Sequence, residues 1–272
     1  ASGISPEELC ERLERAAKTP GTRALVLRIS SPGGDAIAAE AIREKLAAIR
    51  ARGIHVVASM GDTAASGGYW ISLGAERIIA DPLTLTGSIG VFSVIPDAEG
   101  LLAEFDVGRD GYRTGELAEF GSPLHRPNAA ESAILRSGVE RVYDRFKALA
   151  ANNRGRTEAE IEKVAQGRVW TGAQALEHGL VDSLGDLSDA VKVARQLADL
   201  PDDAPVRYFD AEPDGMSALV AKLSGEVLAM VPKSASMRLF LLPVASEPEW
   251  QRLEALLKSR RVLAWAEVPE GI

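Results

Sequence analysis

The chain has 272 residues, 46% of them hydrophobic and 26% charged, which suits one large globular domain, or a domain with an extension, and excludes a disordered chain. Its formal charge of −8, with no cluster of Lys or Arg, argues against a nucleic-acid partner. The single cysteine, Cys10, excludes an internal disulfide, and His55, His125 and His178 are far apart and in no HExxH or Cys/His pattern, so no metal site is expected.

Ser5 to Ala17 carries the signals of a helix: Ser5 as N-cap, Pro6 at the first position, Glu8 to complete a capping box, and apolar Leu9, Leu13 and Ala16 at helical spacing. Ala24 to Ile29 is a near-continuous apolar run, as expected of a parallel strand buried on both faces, and it ends in Ser31-Pro32-Gly33-Gly34. Ala36 to Arg52 repeats apolar residues with helical period and stops at Gly53. Strand, Gly-Gly turn, helix and strand make a βαβ crossover, and ligands gather at the carboxyl ends of such strands.

Val56 to Ser72 follows, read as a short apolar strand, a turn of small residues, and a helix beginning near Ser66. Ala64, Ala65, Gly67 and Gly68 leave Ser66 as the one hydroxyl in a stretch with almost no side-chain bulk, so a substrate backbone can approach it. That makes Ser66 the candidate nucleophile. The amides of Gly34 and Gly67 are the candidate two-donor oxyanion hole beside it. The competing reading is that Ser66 only caps the helix among small residues packed on a sheet. A phosphate-binding loop is disfavoured, because no lysine follows the second glycine of Gly61 to Gly68.

Ile78 to Ala80 is another short strand, leading into Leu85 to Gly90, a glycine-hinged loop whose hydroxyls can line the same cleft or simply form a turn. Gly108 to Pro127 reads as a mobile surface loop, and Ala129 to Asn153 as a long helix with Ile134, Leu135, Val139, Val142, Phe146 and Leu149 on one face. Helices over Thr157 to Gln166, from a Thr171/Gln174 capping box to Gly179, and from Asp186 or Ser188 to Leu197 complete this part, with an edge segment at Leu180 to Leu184. Pro201 to Pro205 reads as a boundary. Beyond it come a strand, Val206 to Asp210, a helix with Met216, Leu219, Val220, Leu223 and Val227 on one face, and a Pro-broken apolar run. No run of roughly eighteen apolar residues and no signal-peptide pattern occurs, so the chain as given reads as soluble.

Taken in order, VLRISSPGGD, MGDTAASGGYWIS, ADPLTLTGSIGVF and AQGRVWTGAQALEHGLVDSLGDL resemble the signal peptide peptidase A family of serine proteases. The resemblance implies an α/β fold of the Clp protease/crotonase type, built of repeated β-β-α and βαβ units, with a C-terminal α/β extension. Residues 1–200 would then be the peptidase domain, lacking the family's first strand, and 201–272 an extension docking on the core, a neighbouring subunit or, less readily, a membrane. The implied activity is cleavage of remnant signal peptides by a serine whose general base is a lysine amine, without cofactor or metal. Ser66 matches the nucleophile and Gly34 and Gly67 the oxyanion-hole donors. Ser88 falls where the family places a hydroxyl that helps orient the lysine.

The lysine itself is missing from its expected place. No lysine occurs between Lys45 and Lys147, and the corresponding neighbourhood reads Tyr112-Arg113-Thr114-Gly115-Glu116, with an arginine that stays protonated. Long-form members hold two tandem copies of the fold, the lysine on the first and the serine on the second, and this chain resembles the second. The implied partners are peptide substrates, a lysine-bearing N-terminal half and further copies of the chain. The implied location is the periplasmic face of a bacterial inner membrane, reached through a segment outside this chain. His125 as a substitute base, a crotonase-like acyl-CoA enzyme using the same amide pair, and a catalytically inert assembly subunit are the alternatives.

Overall fold

A computed structural model describes residues 5–108 and 110–209. The expected helix from Met216 to Val227 and the apolar run after it lie outside the described residues. Residues up to Ala204 group into one compact unit.

Helix α1 (Pro6–Lys18) starts at Ser5, whose Oγ accepts from the Glu8 N–H at 3.3 Å. The reciprocal arm of the expected capping box is not made, and the Ser5 hydroxyl donates to Glu7 instead. Strand β1 (Ala24–Ser31) leads to helix α2 (Ala36–Arg50), which Asp35 caps by accepting from the Ala38 N–H at 2.8 Å.

The long central strand is β2 (His55–Ala65). It runs parallel to β1, with Ala24 beside His55 through Ile29 beside Met60. The register then slips, so that Ser31 sits beside Ala64. On its other edge β2 passes from β3 (Arg77–Ala80), paired at Val57 to Ser59, to β4 (Leu85–Gly87), paired at Thr63 to Ala65.

Residues 61–65, expected as a turn, are therefore strand. Their small side chains serve close approach: a Cβ on Gly61 would collide with the Ser30 hydroxyl across the slipped register. Strand β1 corrects a second expectation, being half-buried along most of its length with only Ile29 buried. Among the described residues it has a neighbour strand, β2, on one edge only.

Helix α3 (Gly67–Ser72) follows β2 directly. After β4 come α4 (Glu99–Glu104), α5 (Ala129–Arg154), α6 (Glu158–Glu162), β5 (Val169–Thr171), α7 (Gly172–Glu177), β6 (Ser183–Leu184) and α8 (Leu187–Leu197). Strand β5 pairs antiparallel with β4, and β6 parallel with β3. Reciprocal capping boxes start α5 (Asn128/Glu131), α6 (Thr157/Glu160), α7 (Thr171/Gln174) and α8 (Asp186/Asp189). The mixed α/β architecture, with parallel strands joined through helices, is the class expected. The strand expected from Val206 is not formed over Val206 to Phe209.

Side chains alternate across β2. Val56, Ala58 and Met60 face a core shared with Ile42, Leu46 and Ile49 of α2, with α3, and with Phe146 of α5. Val57 and Ile79 face the other way, against Ala190 and Ala194 of α8. The sheet is thus covered on both sides, and the carboxyl ends of β1, β2 and β4 come together at one end of it.

Candidate active site

Three strand ends build the site. Ala65 pairs with Gly87, so Ser66 and Ser88 are the next residues on adjacent parallel strands, and the Ser66 N–H donates to the Gly87 carbonyl at 2.9 Å. The turn from β2 into α3 is sharp. Ser66 has φ 51° and ψ −116°, a left-handed conformation that a residue with a side chain adopts only when its surroundings hold it there. Besides the Gly87 contact, the Trp70 N–H donates to the Ser66 carbonyl at 2.8 Å.

Although it precedes the helix, Ser66 makes no side-chain cap hydrogen bond. Its half-exposed hydroxyl is engaged by no described group, so the reading of Ser66 as an N-cap does not hold. Strain without capping, in a strand-to-helix turn, is how a nucleophilic serine is presented.

The end of β1 packs into this turn. Gly33 has φ +127°, and a Cβ there would come within 2.7 Å of the Ser66 Cβ and 3.2 Å of the Gly67 nitrogen. A Cβ on Gly67 would in turn lie 3.2 Å from the Gly34 nitrogen. The two glycine pairs therefore touch backbone to backbone. Among the described residues neither the Gly34 nor the Gly67 N–H donates to a protein acceptor. Two free amides beside one unengaged hydroxyl can stabilise an oxyanion formed on a carbonyl that the hydroxyl attacks.

Ser88 also has a positive φ, 50°, and its N–H donates to the Arg168 carbonyl at 2.7 Å. Its hydroxyl is engaged by no described group. Thr86, whose hydroxyl could have lined the same cleft or formed part of a plain turn, is buried and donates to the Ala64 carbonyl at 2.7 Å. Two supports of the site were given no role from the sequence. Gly33 wedges against Ser66 more closely than Gly34 does, and the segment Arg168 to Trp170 backs the Ser88 turn, with Trp170 Cδ1 2.8 Å from where a Cβ on Gly87 would lie. The ordered pair Gly33-Gly34 was the available signal for the first; a Trp on a three-residue strand offers none for the second.

No described lysine is hydrogen-bonded to Ser66 or Ser88. Lys18 and Lys45 pair with Glu14, and Lys192 with Asp189. Lys147 lies 3.1 Å from both Asp144 and Glu162. The hydrogen bond to Asp144, joined by Glu162 against a counter-push from burial, holds its ammonium above the ordinary lysine range, the opposite of what a general base needs. Lys163 caps the end of α6. Lys222, Lys233 and Lys258 lie outside the described residues.

The histidines are engaged elsewhere: His55 with Glu76 at 2.9 Å, His125 with Glu131 at 3.1 Å, and His178 edge-on to Trp170. Cys10 is half-buried on α1 with its Sγ 3.8 Å from the Ala41 carbonyl, and burial raises its thiol pKa. Among the described residues, no group of three or more His, Cys, Asp or Glu side chains is placed to hold a metal ion, and no helix is long and apolar enough to cross a membrane.

Comparison with known proteins gives this arrangement a context. A mutant ClpP1 from Listeria monocytogenes is similar in structure, with a TM-score of 0.48 and 18% identity, over 68% of this chain and 86% of that one. The chain is 43% identical over 231 residues to Protease 4 of Salmonella typhi, covering 85% of this chain and 37% of that protein. It is 33% identical over 197 residues to a putative signal peptide peptidase SppA of Enterococcus faecium, covering 72% of this chain and 57% of that protein. The chain thus spans little more than a third of the Salmonella protein. Residues 48–201, which contain Ser66 and Ser88, match peptidase family S49, and the chain belongs to that family.

Proposed function

We propose that this chain is the serine-bearing part of a Ser/Lys peptidase that degrades remnant signal peptides, with the lysine supplied by a separate, preceding half. The observation that carries the proposal is the strained, uncapped Ser66 beside the two unengaged amides of Gly34 and Gly67. Membership of a peptidase family and similarity to proteins named Protease 4 and SppA support the reaction class.

In this mechanism Ser66 Oγ attacks the scissile carbonyl as a neutral lysine amine takes its proton. The oxygen of the tetrahedral intermediate accepts from the N–H groups of Gly34 and Gly67. The lysine ammonium then gives its proton to the departing amine, leaving an acyl-serine that water hydrolyses by the same steps in reverse order. Ser88, one residue past the strand that pairs with β2, orients the lysine through its hydroxyl. The lysine works only when neutral, and burial beside Ser66 supplies that by disfavouring the ammonium. Association of several copies near a membrane would gather such sites where signal-peptide remnants are released.

The test is peptide cleavage by the lysine-bearing and serine-bearing halves together. Ser66→Ala is expected to lower kcat by on the order of a thousand-fold or more, because only oxyanion stabilisation and binding remain. Unchanged cleavage would remove Ser66 from the reaction.

A further inference from the structure

Glu40 sits on α2 with a side chain that is 22% exposed. Its carboxylate accepts four hydrogen bonds. Oε1 accepts from Arg43 Nη2 at 3.0 Å and Arg145 Nη2 at 2.9 Å, and Oε2 from Arg43 Nε at 2.6 Å and the Trp70 indole Nε1 at 2.7 Å. Both oxygens have both lone pairs in use, one pair of bonds forming a two-pronged Arg43 contact. The cluster ties together α2, α3 and α5.

Trp70 links this cluster to the nucleophile. It is 4% exposed and packs at a tilt of 37° against Phe146, with ring centroids 4.5 Å apart. Its side-chain N–H is held by Glu40, and its backbone N–H donates to the Ser66 carbonyl at 2.8 Å. One residue therefore joins a fixed carboxylate to the strained turn. A six-residue helix has too few internal hydrogen bonds to hold such a turn unaided, so the holding force comes from tertiary contacts.

We propose that Glu40 is a positioning residue for the peptidase reaction, holding Trp70 so that the backbone of Ser66 and Gly67 keeps its reactive geometry. This rests on the reading of Ser66 as nucleophile. Glu40 acts on the turn through Trp70, whose indole N–H donates to its carboxylate.

Two variants test it. Glu40→Gln removes the charge and an acceptor. Trp70→Phe keeps an aromatic ring against Phe146 and leaves the Glu40–arginine contacts intact, so it isolates the indole link. Hydrogen–deuterium exchange on the full chain reads the geometry without needing the lysine half. The expected result is faster exchange, by on the order of ten-fold or more, for peptides spanning Ala65 to Trp70, with α8 unchanged. In the two-half assembly, kcat is expected to fall by on the order of 10- to 100-fold with KM little changed, as for a small misplacement of reacting groups. The double variant should lose no more than the more damaging single variant. Unchanged exchange around Ser66 in both variants overturns the positioning role. So does a KM rise at constant kcat. Inactivity of the unsubstituted assembly would instead reject the nucleophile reading, and the exchange comparison would still decide the role of Glu40.

Discussion

At the scale of single residues the site depends on what is absent as much as on what is present. Gly33 must have no side chain, both because its φ of +127° disfavours one and because a Cβ would press on Ser66 at 2.7 Å. Gly33→Ala is therefore expected to slow covalent labelling of Ser66 in the two-half assembly by on the order of 10- to 100-fold. Labelling at the unsubstituted rate would mean that the Gly33 turn does not fix the nucleophile. Lys147 gives a complementary expectation. Held as an ammonium by Asp144 and Glu162, it takes no part in proton transfer, and Lys147→Met should keep labelling within about two-fold. Abolition of labelling in a folded variant would make Lys147 the base.

Between elements, α5 locks α3 to the core at three levels. Arg145 reaches Glu40, Phe146 packs on Trp70, and Asn153 Nδ2 donates to the Leu73 carbonyl at 3.0 Å. Phe146 is 1% exposed, so Phe146→Ala is expected to cost about 3–5 kcal/mol of stability, measurable by denaturant unfolding. A loss below about 1 kcal/mol would mean that the site collapses around the void. Glu40 has an acid limb of its own. Burial pushes its carboxyl up, but hydrogen bonds from Arg43, Trp70 and Arg145 outweigh it and bring the pKa from 4.5 to about 2. The folded value lies below the unfolded one, so its stabilising contribution is complete above about pH 4.5 and is lost as pH falls toward 2. Glu40→Gln should flatten the stability profile across that window, and an unchanged slope there would contradict the cluster.

Legibility in the sequence divides at this same scale. The helices after Thr171 and Asp186 were readable because a cap is a local signal, and the long helix after Asn128 because its apolar residues recur on one face. The residues Gly61 to Ala65 were misread because small side chains signal a turn locally, whereas here they allow two strands to crowd β2. Ser66, Gly34 and Gly67 were picked out by glycine at strand ends. Glu40 was not, since a glutamate three residues before an arginine on a helix looks like an ordinary surface pair until α3 and α5 fold over it.

Across the whole molecule, the described unit is a folded scaffold that presents a serine and two amides without a proton acceptor for the serine. Its sheet is covered on both faces, and the site sits where three parallel strands end. On the proposed reading the base comes from outside the chain, and activity would then depend on assembly as well as on chemistry. The rate of the assembled peptidase should then rise with pH through the pKa of the incoming lysine, because only the amine form accepts the serine proton. A rate independent of pH between about 6 and 9 would point to a different base.

The most direct measurement is intact-mass detection of fluorophosphonate labelling, on this chain alone and after mixing with a lysine-bearing half. The prediction is a single adduct on Ser66 in the mixture and none on the isolated chain. Equal labelling of the isolated chain would show that a base is already present within it. No adduct in either sample would contradict Ser66 as the nucleophile.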